Sequence, residues 1–186
     1  MGRARRHAGG DGPVNAPFVR QARAEDLPQL GDIEASGAET FAAAGRPLED
    51  GAERAQPDAW RHALHAGTLW VVEDAAAGLI GFLAAEVADD GLYIEEVDVI
   101  MEYQRRGHGR RLMERAIGWA RAEGLAAVTL TTFRDIAWNA PFYASLGFAE
   151  IPPGQRSARL SAILADEAQR GFDPLRRCAM RLSLRD

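Results

Sequence analysis

The segment at residues 104–109 reads Gln-Arg-Arg-Gly-His-Gly and has the residue types of a phosphate-binding turn. It directly follows an apolar run and directly precedes a segment whose apolar residues recur at helical spacing. The N-terminus of a helix offers unpaired backbone N–H groups and a positive dipole end, and glycine allows the backbone to approach a phosphate closely. Arg105, Arg106 and Arg110 add positive charge beside the turn. The pattern therefore predicts a site for a phosphate or pyrophosphate group.

Two common nucleotide-binding motifs do not fit this turn. A P-loop requires Gly-Lys-Ser/Thr, which the segment lacks, and a dinucleotide-binding fingerprint requires glycine at position 112, where Leu112 stands. The alternative that the residues leave open is a tight strand-to-helix turn whose arginines are exposed to solvent.

Titratable side chains on both sides of the turn could transfer protons. Glu95 and Glu96 are neighbours in the preceding apolar run, and Tyr143 lies in a later helical segment. Carboxylates and phenols both serve in acid–base catalysis. Adjacent strand residues point to opposite faces, so only one of the two glutamates can share a face with Tyr93 and Val97. We assign Glu95 to that face and treat Glu96 as the second candidate.

Hydrophobic periodicity predicts the elements that must position these residues. Strands are expected at residues 18–21, 69–72, 79–87, 92–100, 126–133, 148–151 and 178–184. Helices are expected at residues 24–33, 58–65, 109–124, 139–146 and 157–170. Residues 35–55 mix Gly, Pro, Glu and Ala without a steady period, which predicts a loop that can include one helical turn.

The order of these elements indicates an α/β fold with a mixed sheet. Short turns join the strands at residues 69–100 into an antiparallel meander. The strand, helix and strand that follow form a right-handed βαβ unit with parallel strands, and a ligand crevice is expected at the ends of such strands. Asn139 stands where a helix N-cap is expected, with Pro141 in the first turn.

Length and composition favour one globular domain. The chain has 186 residues, of which 47% are hydrophobic and 26% are charged, as in an ordinary folded domain. We expect this domain to span residues 17–186, and the basic, glycine-rich residues 1–16 to form a flexible tail. No run approaches the roughly 20 apolar residues of a membrane span, so no membrane association is expected.

The net charge and the spacing of potential metal ligands argue against two other classes of protein, those that bind nucleic acid broadly and those that bind a metal ion. The formal net charge of −5 disfavours broad nucleic-acid binding, which needs an excess of Lys and Arg on one face. His62, His65 and His108 do not gather with Cys178 in a metal-ligand spacing, so no metal site is expected. Cys178, the single cysteine, lies in an apolar run and fits a buried strand thiol in a reducing cytoplasm.

On these residues the chain resembles the GCN5-related N-acetyltransferase (GNAT) family. The family signature at this strand-to-helix junction is Gln/Arg-x-x-Gly-x-Gly/Ala, and Gln104, Gly107 and Gly109 match it in full. The resemblance extends to the strand at residues 93–99. It extends only approximately to residues 138–148, where the spacing from Asn139 to Tyr143 is shorter than in the family theme.

The resemblance implies a mostly antiparallel GNAT-like acyl-CoA acyltransferase fold, in which the two parallel strands splay apart to hold acetyl-CoA as co-substrate. Backbone groups of Val97 and Val99 would pair with the pantetheine arm, and the N–H groups of residues 105–110 would hold the pyrophosphate. The implied cofactor-binding residues are Val97, Asp98, Val99, Gln104, Arg105, Arg106, Gly107, His108, Gly109, Arg110 and Asn139.

The resemblance also implies a reaction, the direct transfer of an acetyl group to a primary amine of a small molecule or peptide. Tyr143 would protonate the departing CoA thiolate, and Glu95 would act as the base or hold a water, with Glu96 in reserve. The amide of Val99 would donate to the thioester carbonyl. Three alternatives stay open: a non-catalytic acyl-CoA-binding sensor, an enzyme for larger acyl-CoAs, and a protein acetyltransferase. Family members often pair, which suggests a homodimer.

Overall fold

The computed structural model describes residues 16–43 and 58–185, so residues 1–15 of the predicted tail and residues 44–55 of the predicted loop lie outside the described residues. The strands are β1 Phe18–Gln21, β2 Leu69–Asp74, β3 Gly78–Ala88, β4 Gly91–Val99, β5 Ala127–Phe133, β6 Ala149–Glu150 and β7 Arg177–Ser183. The helices are α1 Leu27–Ala43, α2 Arg61–Ala66, α3 His108–Ala122, α4 Ala140–Ala144 and α5 Ala158–Gln169.

All seven strands form one sheet in the order β1-β2-β3-β4-β5-β7-β6. Neighbouring strands run antiparallel, except that β4 and β5 are parallel and α3 connects them. The predicted meander and βαβ unit are therefore confirmed. The parallel pairing is short, since it extends only from Gly91↔Ala127 to Ile94↔Leu130. Beyond Ile94 the two strands are no longer paired, and β4 has an open edge.

Helices cover both faces of the sheet. On one face α3 packs its apolar side, which includes Leu112 and Met113, against the main core. On the other face α1 and α2 pack on β2 and β3, with Leu30 and Phe82 at the centre of that cluster. The same face carries α5, whose Leu160 packs with Tyr93, Ile151 and Ala179. None of the helices among the described residues is both long and apolar enough to cross a membrane.

The prediction of a loop from residue 35 is wrong as far as residue 43, because α1 continues to Ala43. Its second half is rich in alanine, the strongest helix former. Gly37 lies in this half although glycine disfavours a helix interior. A Cβ at Gly37 would lie 2.7 Å from Cγ of Asp98 on β4, so the close approach of α1 and β4 requires a residue without a side chain.

A β-bulge in β4 changes which residues share a face. Ala84 pairs with Glu96 and Ala85 pairs with Ile94, so Glu95 is the extra residue of the bulge. As a result Ile94 and Val97 both pack toward the α3 core, whereas Tyr93 packs against α5 on the opposite face. The prediction that Tyr93, Glu95 and Val97 share one face is therefore wrong, because it assumed an uninterrupted alternation.

Candidate functional site

A cavity of about 550 Å³ lies where β4 and β5 separate. Its walls come from the end of α1, the second half of β4, the turn before α3, and α4 with the residues that precede it. The predicted site residues that line it are Glu96, Val97, Asp98, Val99, Gln104, Arg105, Gly107, His108, Gly109, Arg110, Asn139 and Tyr143. Glu95 and Arg106 are not among the lining residues. A second cavity of about 660 Å³, near the first residues of β4 and β5, contains none of the predicted site residues.

The turn before α3 has the backbone shape of an anion-binding loop. Gly107 is the N-cap of α3 with φ +86°, and Arg105 also has a positive φ of 58°. A Cβ at Gly107 would meet nothing within 4 Å, so open space lies beside the first N–H groups of a 15-residue helix. These groups carry the positive end of the helix dipole. The residues present therefore fit a phosphate group.

Side chains of the turn tie it to its neighbours. Nε2 of Gln104 donates to the carbonyl oxygen of Val99 and to Oγ1 of Thr40, each at 2.9 Å. The guanidinium of Arg106 lies 5.2 Å from the centre of the Tyr103 ring. The signature glutamine thus joins the turn to both β4 and α1 at the edge of the cavity.

The open edge of β4 presents backbone groups to the cavity. The amide of Ile100 donates to the carbonyl of Ile80 on β3 at 3.0 Å. In an antiparallel pair the residues alternate between facing the partner and facing away, and Gly81 pairs opposite Val99. Backbone groups of Val99 and Val97 therefore face away from β3, toward the gap between β4 and β5. This is the arrangement that an extended, amide-containing ligand would need.

Glu95 lies outside the cavity because of the bulge. Its carboxylate Oε2 is 2.7 Å from Nε2 of His62 on α2. This contact connects the strand to the short helix and leaves the Glu95 carboxylate in a partly exposed hydrogen bond with His62. The structure therefore separates Glu95 from Tyr143, the residue with which it was predicted to work.

Glu96 and Asp98 line the inner wall of the cavity on the side that faces α1. Burial and the nearby charge of Glu34 raise the pKa of Glu96 to about 7, although the Val97 amide, which donates to Oε1 of Glu96 at 3.2 Å, opposes this shift. Burial and the charges of Glu96 and Glu34 raise the pKa of Asp98 well above its usual value. The sequence prediction placed Asp98 with the cofactor-binding residues, but its side chain points toward α1.

Tyr143 on α4 is buried and lines the same cavity. Its ring packs edge-on against Phe142 and Phe148, with centroids 5.1 Å and 5.9 Å away. Burial raises the pKa of Tyr143, and the negative charges of Glu96 and Asp98 raise it further. The phenol therefore keeps its proton at neutral pH and can act as a hydrogen-bond donor.

Asn139 is the N-cap residue of α4, as the sequence predicts, but its side chain makes no capping hydrogen bond. The amide side chain instead belongs to the lining of the cavity. Before it, Trp138 contacts Phe41 at the end of α1, with ring centroids 5.9 Å apart. Phe41 also contacts Phe133 at the end of β5. Of these rings, Phe41 and Trp138 form an apolar wall of the site.

A buried polar cluster closes the gap between β4 and β5 on the α5 side. Arg177 donates to both carboxylate oxygens of Glu167, at 2.8 Å and 2.7 Å. Thr131 donates to Glu167 at 2.7 Å, and the hydroxyl of Tyr93 is 3.1 Å from that of Thr131. Sequence reasoning missed this cluster, because its members lie on four different elements and no local pattern connects them.

Comparisons with known proteins agree with this fold. The sequence model of the acetyltransferase (GNAT) family matches residues 36–148. The fold is similar to Rv2747 from Mycobacterium tuberculosis in complex with CoA, at TM-score 0.63 and 23% identity over 90% of this chain and 99% of that one. It is also similar to ribosomal-protein-S18-alanine N-acetyltransferase from Escherichia coli, at TM-score 0.59 and 20% identity over 91% and 95% of the two chains.

A longer protein also shares the fold. N-acetylglutamate synthase from Neisseria gonorrhoeae, complexed with coenzyme A and N-acetyl-glutamate, matches 91% of this chain at TM-score 0.64 and 17% identity. This chain spans only 35% of the length of that synthase.

Proposed function

Because the chain belongs to the acetyltransferase (GNAT) family, we propose that it transfers the acetyl group of acetyl-CoA directly to a primary amine, with Glu96 as the base and Tyr143 as the acid. The observation that supports this proposal best is that both side chains line one cavity with the open edge of β4 and the turn before α3. A base, an acid and a place for an acyl-CoA thus share one site.

The residues present fit acetyl-CoA. The N–H groups around Gly107 would hold the pyrophosphate, and backbone groups of Val97 and Val99 would hold the pantetheine arm. When bound, acetyl-CoA supplies the thioester carbonyl that the amine attacks. The amide of Val99 faces the gap and would donate to the oxygen of that carbonyl, where negative charge develops during the transfer.

The two proton transfers divide between Glu96 and Tyr143. A general base works best when its pKa lies near the operating pH, and the pKa of Glu96 is raised to about 7. Glu96 would accept the proton that the amine loses, either directly or through a water. Tyr143 would give its proton to the departing thiolate. In this proposal Glu96 replaces Glu95 as the base, because the bulge directs Glu95 to His62.

The acceptor is a small-molecule or peptide amine. Negative charge concentrated in a cavity attracts cations, so Glu96 and Asp98, when ionised, favour an acceptor that arrives with positive charge. Two further proposals are that the protein works in the cytoplasm, which its single cysteine favours, and that it forms a homodimer, which the family resemblance favours. A protein acceptor, a larger acyl-CoA and a non-catalytic acyl-CoA sensor are the alternatives that the test must separate.

The test is CoA thiol release from acetyl-CoA, measured with polyamines, aminoglycosides, amino acids, arylalkylamines and peptides as acceptors. We expect amine-dependent release by the wild type, and a loss of about 100-fold or more in kcat for Tyr143→Phe and Glu96→Gln at similar acetyl-CoA affinity. Glu95→Gln is the matched control for Glu96→Gln and should retain most of the activity. If Glu95→Gln loses activity and Glu96→Gln does not, the assignment of the base is wrong.

Other outcomes of the same assay address the alternatives. Tight binding of acetyl-CoA without release by any amine or peptide would support the sensor and contradict the proposed transfer. Faster release from propionyl-CoA or butyryl-CoA would support the larger acyl group. Failure to bind acetyl-CoA would contradict the whole proposal.

A further inference from the structure

The second cavity, of about 660 Å³, lies on the face of the sheet that α5 covers, at the first residues of β4 and β5. Its floor includes Tyr93 and Thr129, which pair across the two parallel strands, and the start of α5 forms one wall. None of the described residues lines both this cavity and the one that contains Tyr143. The two cavities are therefore separate, and the second has the size of a small-ligand site.

Three arginines and three acidic residues line the second cavity. Two of these six already have partners, since Arg159 donates to Glu86 and both carboxylate oxygens of Glu150 accept from Arg134. The other four form no side-chain ion pair with any residue in the described ranges 16–43 and 58–185, and they are Arg156, Arg181, Asp89 and Asp90. Two cations and two anions are thus left for a ligand.

The two signs of charge lie on opposite sides of the floor. Arg181 is on β7 and pairs with Thr129 of β5, whereas Asp90 directly precedes β4. Neighbouring strands are about 4.8 Å apart, so β7 and β4 are separated by about 10 Å. Nε of Arg156 donates to the carbonyl of Ile151, whose amide donates to β7, so Arg156 is held on the side of Arg181. Its charge also lowers the pKa of the neighbouring Glu150.

This arrangement fits a ligand that carries one charge at each end. A guanidinium group binds a carboxylate, and a carboxylate accepts hydrogen bonds from an ammonium group. A free amino acid has both charged groups on one carbon and is too short for the cavity, whereas three extended residues span about 10 Å. Between the charges, the hydroxyl groups of Thr129 and Ser183 and the amide of Gln155 line the cavity and can hydrogen-bond peptide groups.

We propose that the second cavity binds a short peptide by its two ends, with the terminal carboxylate at Arg156 and Arg181 and the terminal ammonium group at Asp89 and Asp90. The inference goes beyond the proposed acetyl transfer and does not depend on it, since neither the acid nor the base of that reaction takes part. The site binds its ligand without forming or breaking a covalent bond.

Four alanine ligands separate the contributions of the two charges. Trialanine has both charges, N-acetyl-trialanine lacks the ammonium group, trialanine amide lacks the carboxylate, and free alanine has both charges on one carbon. Calorimetric titration of the full chain measures each affinity in the absence of acetyl-CoA, so that no transfer can occur. We expect trialanine to bind at least about tenfold more tightly than each of the other three. Equal affinities for trialanine and either blocked peptide would overturn the inference.

Variants of the four unpaired residues test the position of the site. Arg181→Gln should weaken trialanine by about tenfold or more and change trialanine amide little, because the amide has no carboxylate. Arg115→Gln, at an exposed position of α3, is the matched control and should leave both affinities unchanged. Asp89→Asn combined with Asp90→Asn should remove the preference for trialanine over N-acetyl-trialanine. Asparagine tolerates the φ of 55° at Asp89, so this variant keeps the turn.

A variant of the first cavity shows which cavity the peptide enters. Glu96→Gln should leave the affinity for trialanine unchanged. If Glu96→Gln weakens trialanine and Arg181→Gln does not, the peptide binds in the first cavity and the inference is overturned. Absence of trialanine binding by the wild type, or equal losses in Arg181→Gln and Arg115→Gln, would overturn it as well. These titrations do not measure acetyl transfer, so their failure leaves the proposed function standing, and a failure of thiol release leaves this inference standing.

Discussion

Asp98 on β4 and Gly37 in α1 are packed so closely that position 37 has no room for a side chain. Alanine normally stabilises a helix interior relative to glycine by up to about 1 kcal/mol. We expect Gly37→Ala to lower the free energy of unfolding by about 1–3 kcal/mol instead, because of overpacking. Gly118→Ala in α3, where a Cβ would meet nothing within 4 Å, should raise it. Urea denaturation of both variants tests this, and equal stabilisation by both would contradict the contact.

Gly107 has a φ of +86°, and a glycine with a similar φ elsewhere in the chain provides a matched control variant. Gly171 has a φ of +94° and equally open surroundings, but it follows α5 and does not line the cavity. Gly107→Glu and Gly171→Glu should both lose about 1–2 kcal/mol of stability, the cost of a side chain in the left-handed region. Only Gly107→Glu should lose acetyl-CoA affinity, by about tenfold or more, because it adds negative charge at the phosphate site. Calorimetric titration distinguishes them, and similar affinities would mean that phosphate binds elsewhere.

The raised pKa of Glu96 predicts how stability depends on pH. Its folded-state pKa of about 7 exceeds the unfolded value of 4.5, so the folded state binds more protons between these limits. Stability is therefore highest below pH 4.5 as far as Glu96 is concerned, and it falls by up to about 3 kcal/mol as the pH rises through 7. Glu96→Gln should remove most of this decrease. The free energy of unfolding at pH 5, 6, 7 and 8 tests this, and parallel curves for the two proteins would show that the carboxyl group is not desolvated.

The contribution of Glu150 to stability depends on pH with the opposite sign. A hydrogen bond from Arg134 holds the pKa of Glu150 below its usual value, so its contribution to stability is lost only as the pH falls into the acid range. The two effects act in different pH windows and can be separated in one titration.

The pair of Arg177 and Glu167 has side chains only 13% and 6% exposed. Arg177→Met would leave a buried carboxylate without its cation, which we expect to cost about 3–5 kcal/mol. The double variant with Glu167→Leu should recover much of that loss. Breaking the exposed pair of Arg170 and Asp166, at 61% and 65% exposure, should cost less than about 1 kcal/mol. Chemical denaturation measures these three variants, and a small loss in Arg177→Met would mean that water reaches the pair.

Local sequence patterns predict much of this fold. The segment after Gly109 has strong apolar periodicity, which predicts a helix. The turn before it was recognised from its residue types and from its position between a strand and a helix. The prediction of this helix is confirmed, as α3 begins at His108. The loop prediction for residues 35–43 failed because the need for glycine at position 37 arises from Asp98, 61 positions later in the sequence, and no local pattern contains that contact.

The site was less predictable than the fold for the same reason. Strict alternation of side chains along the strand would place Glu95 on the same face as Val97. A bulge in the pairing of β3 and β4 interrupts this alternation. A bulge depends on which residues of two strands meet, and the sequence of β4 contains no marker for it. The glutamate in the cavity was therefore recognised as a candidate but ranked second.

The bulge gives one strand an additional acid on the face covered by α1 and α2, and the two neighbouring glutamates contact different helices. Glu95 reaches α2 through His62, whereas Glu96 reaches the cavity and α1. A relative without the extra residue would have a single glutamate at this point. An alignment with such a relative needs a gap inside β4, and without that gap the role of the base would be transferred to the wrong side chain.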